Sequence, residues 1–298
     1  MKSITAETNF VGLLGNPVRH SLSPIIHNTA FEILGINWCY LAMPCKKENL
    51  KTILEALKNL NCMGLNITIP HKENIAFYCE KESEKAKEIG AINTLLKNEN
   101  NIWIGENTDM EGFIYPLKEK DWKNKKAIIL GNGGSARAVL VGLKKLMFEE
   151  IYIIGKNKEK LNSFLKFFKE NNINNNTKIK GIIYNLTDIS TIIVDADLIV
   201  NTTPIGMREL SSTINNIESI PFGAKPWEKL NKKTTLYDLI YTPYETDWLK
   251  IGKSKGCDTI NGLSMLIQQG AESLRLWSGF QEIPTNQMTN KAIEYLKK

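Results

Sequence analysis

What this 298-residue chain has little of already narrows its class. Cysteine is sparse: the five residues Cys39, Cys45, Cys62, Cys79 and Cys257 are odd in number, far apart, and contain no Cys-x-x-Cys pair. That pattern argues against a disulfide framework or a cysteine zinc site and suits a reducing compartment. Long apolar runs are missing too, so no stretch approaches the length needed to span a bilayer. Met1 to Asn9 lacks the basic segment and apolar core of a secretory leader. A cytoplasmic protein with no membrane association and no metal is expected. Basic residues outnumber acidic ones by 38 to 32, a formal charge of +6. The lysines alternate with acids, however, as in Lys81, Glu82, Glu84, Lys85, Lys87 and Glu88. No basic block is interleaved with aromatics, which argues against a nucleic-acid partner.

What is present reads as an ordinary globular chain, 42% hydrophobic and 23% charged, at about twice the usual domain size, so two domains are expected. Its organising stretch starts at Ala127, Ile128, Ile129, Leu130 and Gly131, an apolar run suited to a buried parallel strand. A turn follows through Asn132, Gly133, Gly134, Ser135 and Ala136. Val139, Leu140, Leu143, Leu146 and Met147 then recur at helical spacing. Strand, glycine turn and helix come in the order of a dinucleotide-binding unit. Gly131 permits the tight turn, Gly133 lets backbone approach a pyrophosphate, and Ala136 is the small residue where helix and strand pack closely. The helix N-terminus offers N–H groups and a positive dipole end. An NAD site places an Asp or Glu about twenty residues past the glycines to hold the ribose 2′-hydroxyl. Here the next strand, Ile151 to Ile154, ends in Gly155, Lys156, Asn157 and Lys158, with Lys160 two further on. Lysines in place of an acid favour a 2′-phosphate, and so NADP. The loop Thr202 to Met207, after a strand at Leu198 to Asn201, falls where a nicotinamide would lie.

Polar residues gather at strand ends in the first third. Phe10 to Leu14 predicts a strand, and Ser23, as cap to a helix from Pro24 to Leu34, joins Ser21 in a candidate anion site. After Trp38 to Met43 and a helix from Leu50 to Leu60, the strand Gly64 to Ile69 carries Asn66 and Thr68 on one face. His71 and Lys72 lie just past its carboxyl edge. A helix is expected over Lys81 to Ile89, and a strand over Ala91 to Leu96 is interrupted by the polar pair Asn93 and Thr94. Trp103 to Glu106 returns as its hairpin partner, and Asn107, Thr108 and Asp109 cap a helix running to Leu117. Asn66, Lys72, Asn93 and Asp109 thus recur at element junctions, which points to a site. Asn171 to Thr177 predicts a solvated loop, Ile179 to Tyr184 and Leu236 to Asp238 further strands, and Tyr237, Asp238 and Tyr241 occupy the last strand's edge. Two helices, Leu263 to Trp277 and Asn286 to Lys297, close the chain.

Five segments then match one family in order. They are Gly15 to Pro24; Asn66 to Lys72; Ala91 to Thr94 followed by Asn107 to Asp109; the Gly131 to Arg137 turn; and Asn261 to Leu266. On these the chain resembles shikimate dehydrogenase over nearly its whole length. The resemblance implies an α/β protein of two domains. Residues 1–108 plus 262–298 would form an N-terminal substrate-binding catalytic domain, onto which the C-terminal helices pack back. Residues 109–261 would form a Rossmann-type NADP-binding domain. It implies reversible reduction of 3-dehydroshikimate to shikimate by NADPH, a step toward chorismate and the aromatic amino acids. Lys72 and Asp109 would be the catalytic pair. Ser21 and Ser23, assisted by Tyr241, would bind the substrate carboxylate, and Asn66, Thr68, Asn93, Asp109 and Gln269 the ring hydroxyls. Gly131, Asn132, Gly133, Gly134, Ser135, Ala136, Lys156, Lys160, Thr202, Gly262 and Met265 would hold the cofactor, with Arg19 a structural residue. The chain departs from the family at Gly155, Lys156 and Asn157, where many NADP-using members have Asn-Arg-Thr. Lys156 keeps the charge but not the flat guanidinium that grips a phosphate bidentately. Two alternatives stand beside this expectation. A quinate/shikimate dehydrogenase using NAD or both cofactors is disfavoured by the two serines, and a non-catalytic nucleotide-sensing module by the presence of Lys72 with Asp109. The expected partner is a small-molecule substrate, and the chain is expected as a monomer or homodimer.

Overall fold

Two six-stranded sheets organise the chain. They are seen in a computed structural model that describes residues 4–60, 62–171, 177–184, 186–207 and 219–297. The chain divides into two units, Met1–Gly112 with Leu266–Lys298, and Phe113–Met265.

In the first unit the sheet contains β1 (Asn9–Gly15), β2 (Trp38–Pro44), β3 (Cys62–Ile67), β4 (Lys81–Glu82), β5 (Thr94–Lys97) and β6 (Trp103–Glu106). The strand order is β2-β1-β3-β5-β6-β4. Here β1 runs parallel to β2 and β3, and β5 runs antiparallel to both β3 and β6. The helices are α1 (Ser23–Leu34), α2 (Leu50–Lys58), α3 (Glu84–Ile89) and the start of α4 (Asp109–Ile114). Leu50, Leu54 and Leu57 of α2 recur at helical spacing and pack with Leu14, Leu65, Ile67 and Trp103 in the core. The predicted helix over Lys81 to Ile89 starts later than expected. Lys81 and Glu82 pair with β6 instead, and Ser83 caps α3 by accepting the Ala86 N–H at 3.0 Å. Ser23 is likewise not a cap. Leu22 occupies that position, and Ser23 is the first helical residue, its N–H donating to Ser21 Oγ at 3.1 Å.

Phe113–Met265 contains β7 (Lys126–Leu130), α5 (Gly134–Lys145), β8 (Glu150–Gly155), α6 (Lys158–Glu170), β9 (Lys178–Ile183), α7 (Leu186–Ile192) and β10 (Leu198–Asn201). β11 (Thr235–Asp238), α8 (Asp247–Ser254) and β12 (Asp258–Ile260) follow. All neighbours pair in parallel, in the order β12-β11-β10-β7-β8-β9. Read from the β9 edge this is the 3-2-1-4-5-6 order of a doubly wound sheet, and its direction of winding reverses between β7 and β10. Parallel strands are covered on both faces, so the stretches Ala127 to Leu130 of β7 and Leu198 to Val200 of β10 are continuous apolar runs. Ile128, Leu130, Ile199 and Leu236 meet Trp227 and Trp248, whose rings stand edge to face at 5.3 Å.

Helix α9 (Leu263–Ser278) carries the chain back into the first unit, and α10 (Thr285–Leu296) packs on α1. There the Trp277 Nε1–H donates to the Leu95 carbonyl at 3.0 Å, which ties α9 to the sheet. Residues 172–176, within the expected solvated loop, lie outside the described residues. Among the described residues no helix is long and apolar enough to cross a membrane.

Candidate active site

The chain leaves β3 through a turn that presents Lys72. The Thr68 N–H bonds the Leu14 carbonyl at 2.9 Å, and the His71 N–H bonds the Thr68 carbonyl at 2.9 Å. Buried His71 donates from Nε2 to the Cys45 carbonyl at 2.8 Å, since a carbonyl can only accept. The Lys72 carbonyl in turn accepts the Ile92 N–H at 2.8 Å. With its backbone held from two directions, Lys72 extends Nζ to 2.5 Å from Asp109 Oδ2. Both side chains are nearly covered, at 12% and 6% exposure. In such a setting an ion pair is screened far less than one at the surface.

Asp109 is placed by the start of α4. Its N–H donates to Asn107 Oδ1 at 3.0 Å, and Asn107 Nδ2 is anchored on the Ala91 carbonyl at 2.8 Å. Asn93 supplies the second contact to the carboxylate, Nδ2 to Asp109 Oδ1 at 2.8 Å. The orientation of the Asn93 amide is forced, because the Thr108 N–H can only donate and meets Asn93 Oδ1 at 2.7 Å. Asn93 Nδ2 also faces Thr108 Oγ1 at 2.9 Å and Gln269 Oε1 at 3.4 Å. Gln269 is itself held by donating to the Leu266 carbonyl at 2.9 Å. Residues far apart in sequence thus converge on one carboxylate.

Asn66 sits one layer deeper, 4% exposed. Its Nδ2 faces the Asn93 carbonyl at 3.3 Å, Thr94 Oγ1 at 3.2 Å and Ser273 Oγ at 2.9 Å, while its Oδ1 accepts the Tyr40 O–H at 2.8 Å. Tyr40 is fixed by stacking on His27, with ring centroids 4.4 Å apart and planes 9° apart. Burial pushes the His27 pKa down to about 3, so that ring is neutral. Ser21 and Ser23 lie together, their hydroxyls 3.0 Å apart, at the N-terminal end of α1. Thr68 is half-buried beside the turn, and Arg19 is exposed. Tyr40 and Ser273 were missed as site-supporting residues in the sequence. Ser273 does carry a signal, a polar residue one helical turn beyond Gln269 on an otherwise apolar stripe.

Within Phe113–Met265, the turn after β7 fits a dinucleotide. Gly131 has φ +104°, and a Cβ there would lie 2.7 Å from Thr202 Oγ1. Thr202 bonds the Leu130 carbonyl through Oγ1 at 2.7 Å, which ties the loop after β10 to the end of β7 at the winding reversal. Gly133 caps α5 without a side chain, and the first intrahelical bond is the Arg137 N–H to the Gly133 carbonyl at 3.2 Å. Gly134, Ser135 and Ala136 therefore form the first turn of α5. Lys156 and Lys160 are exposed around the start of α6, where Asn157 Oδ1 accepts the Lys160 N–H at 2.9 Å. Gly262 and Met265 are buried, and a Cβ at Gly262 would come within 2.0 Å of the Leu239 carbonyl oxygen, so the backbone there tolerates only glycine. Tyr241 is half-buried just past β11.

A doubly wound sheet with an open glycine turn, accompanied by a buried lysine–carboxylate pair on a separate α/β unit, defines a nicotinamide-dependent oxidoreductase. Two family models match: the shikimate dehydrogenase substrate binding domain over residues 13–95, and the shikimate 5′-dehydrogenase C-terminal domain over residues 262–293. A protein of Prochlorococcus marinus (strain MIT 9515) named shikimate dehydrogenase (NADP(+)) is 49% identical over 98% of this chain and 100% of its own length. Among solved structures, a shikimate dehydrogenase in complex with NADP+ is 37% identical with a TM-score of 0.85, covering 99% of this chain and 98% of that one. Shikimate 5-dehydrogenase from Listeria monocytogenes, in complex with shikimate and NAD, is 28% identical with a TM-score of 0.82, covering 97% and 98%. The chain belongs to the shikimate dehydrogenase family.

Proposed function

We propose that this chain catalyses the reversible, NADP-dependent interconversion of 3-dehydroshikimate and shikimate, with Lys72 and Asp109 as the catalytic pair. The observation that carries the assignment of roles is the largely covered Lys72–Asp109 contact at 2.5 Å, braced by Asn93. When bound, NADPH supplies the hydride. Reduction of a carbonyl leaves charge on its oxygen, and the Lys72 ammonium is the acid that donates a proton there; in the reverse direction the neutral amine takes the proton back. Asp109 orients Lys72 and accepts from the adjoining substrate hydroxyl. Asn93 and Gln269 place amide groups beside that carboxylate, where ring hydroxyls can pair with them. Ser21 and Ser23 hold the substrate carboxylate, and Thr68 and Asn66 complete the polar wall. The glycine turn and the N-terminal end of α5, from Gly133 to Ala136, receive the pyrophosphate, and Thr202, Gly262 and Met265 line the nicotinamide side. Lys156 and Lys160 supply positive charge for the 2′-phosphate. Met1–Gly112 with Leu266–Lys298 then serves as the substrate domain, and Phe113–Met265 as the nucleotide domain. Free cysteines and the metabolic substrate fit a cytoplasmic enzyme.

Absorbance at 340 nm reports the activity when shikimate is offered with NADP+ and with NAD+ separately. Turnover with shikimate and NADP+ is expected, and none with either cofactor overturns the proposal. Parallel assays with quinate are expected to be silent. Lys72→Ala should lower kcat by roughly 10²-fold or more, the usual scale for loss of a general acid–base group, with NADP+ affinity unchanged. A variant that keeps kcat and raises only KM would make Lys72 a binding residue.

A further inference from the structure

At the end of β8, where a doubly wound nucleotide site usually reads the ribose 2′-position with an acidic side chain, this chain has no side chain at all. Gly155 fills that position, and its surroundings show what replaces the missing group. A Cβ on Gly155 would lie 3.2 Å from Asn132 Oδ1 and 3.4 Å from Asn132 Cγ. The Asn132 amide, projecting from the glycine turn one strand away, therefore occupies the space beside Gly155 that a β8 side chain would claim. Its Nδ2 is buried without a hydrogen-bond partner, which is costly unless something else satisfies it. Neither the turn nor α6 supplies that partner: Asn157 Oδ1 is committed to the Lys160 N–H.

We propose that Asn132 reads the ribose 2′-position of the cofactor from the glycine turn, taking over the task that the β8 end leaves vacant, and so sets cofactor preference. This rests on the NADP assignment above. A carboxylate at this place accepts from a 2′-hydroxyl and repels a 2′-phosphate. An amide is neutral and carries both a donor and an acceptor, so it can meet a phosphate oxygen through Nδ2 or a hydroxyl through Oδ1. Because no protein group holds Nδ2, turning the amide over sacrifices no bond from that atom. Lys156 and Lys160 then act as general positive charge around the phosphate, while Asn132 supplies the directional contact. Lys156 has its ammonium 5.7 Å from the centroid of the Tyr184 ring, just past β9.

Isothermal titration calorimetry of the full chain with NADP+ and NAD+, without substrate, tests this through binding alone. Asn132→Asp changes charge at constant size. It should weaken NADP+ about thirtyfold, since placing like charges together costs on the order of 2 kcal/mol or more, and shift NAD+ less than threefold. Asn132→Ala adds no charge and covers the case in which the aspartate variant does not fold. It should weaken both cofactors about fivefold, the loss of one hydrogen bond. Affinities within twofold of the parent for both variants, or for Asn132→Ala where it alone folds, overturn the role of Asn132. Equal affinity of the parent for NADP+ and NAD+ instead overturns the NADP assignment, which separates the two failures.

Discussion

Proton counting at single residues shows how far the site's order reaches. Ser273 Oγ–H donates to the Gln269 carbonyl at 3.0 Å, an acceptor only, so Ser273 must accept from Asn66 Nδ2 at 2.9 Å. Its remaining lone pair faces Thr94 Oγ1 at 2.9 Å and Thr108 Oγ1 at 3.2 Å. Those threonines adjoin Asn93 Oδ1, at 3.0 and 3.2 Å, and Asn93 donates to Asp109. One direction of donation thus runs from the buried serine's neighbours to the carboxylate that holds Lys72. Ser273→Ala removes the nearest of the three acceptors around Asn66 Nδ2, a loss of about 0.5–1.5 kcal/mol in stability. If Ser273 positions Asn66 and Asn93, kcat for shikimate should also fall roughly tenfold, with NADP+ affinity unchanged and partial recovery in Ser273→Thr. Urea unfolding beside steady-state kinetics checks it. Lower stability with unchanged kcat would reduce Ser273 to a packing residue.

At the scale of elements, the loop after β10 depends on its neighbour β11. Asn201 and Asp238 are register partners at the carboxyl ends of these strands. Asp238 Oδ1 accepts from Asn201 Nδ2 at 3.0 Å and from the Ile240 N–H at 3.1 Å, and Oδ2 accepts the Thr246 O–H at 2.7 Å. Asn201 Oδ1 then accepts from the Thr203 N–H and O–H, which shapes the loop beside Thr202. Burial raises the Asp238 pKa to about 6 although these donors oppose the shift. Between about pH 4 and pH 6 the folded state then binds more protons at Asp238 than the unfolded state, whose value is near 3.8, so this group's contribution to stability falls as pH rises. Asp238→Asn stays neutral throughout. Its stability relative to the parent should therefore climb between about pH 4 and pH 6 and level off above pH 7, as measured by urea titration. A flat difference across that range would show that burial does not govern this carboxyl.

The same scale shows what could be read in advance. The apolar runs of β7, β8 and β10 announced themselves because parallel strands are covered on both sides. Lys72, Asn93 and Asp109 stood out as polar residues at element ends. β12 has only three residues, with Asp and Thr among them, and α8 buries only Trp248, Leu249 and Gly252, so neither had a periodic pattern long enough to register. Ser23 looked like a cap because serine before proline usually is one, but Ser21 sits where it can receive the Ser23 N–H. Support for Asn66 was illegible for a different reason: its partner Ser273 lies 207 positions away, and only the folded sheet and α9 bring them together.

For the whole molecule, separate cores underlie the two sets of candidate site residues. One core gathers Leu14, Leu54, Leu65 and Trp103 beneath the strand ends that bear Asn66, Lys72 and Asn93; the other gathers Ile128, Leu130, Ile199 and Trp248 beneath the glycine turn and the Thr202 loop. A ligand that binds only the native form slows exchange limited by opening of the unit it binds by the factor 1 + [L]/Kd, about a hundredfold at 100 times Kd, or about 2.7 kcal/mol. The role assignments therefore predict a segregated pattern of amide hydrogen exchange. NADP+ alone should protect the stretch from β7 into α5 and the Thr202 loop, leaving the turn through Thr68 to Lys72 close to its unliganded rate. Shikimate alone should protect that turn, the segment from Asn107 into α4 and the start of α1. Mass spectrometry of peptic fragments, with each ligand at about 100 times its Kd, resolves these segments. Protection of the glycine turn by shikimate equal to that at Lys72, in the absence of cofactor, would contradict the division of binding residues between the two units.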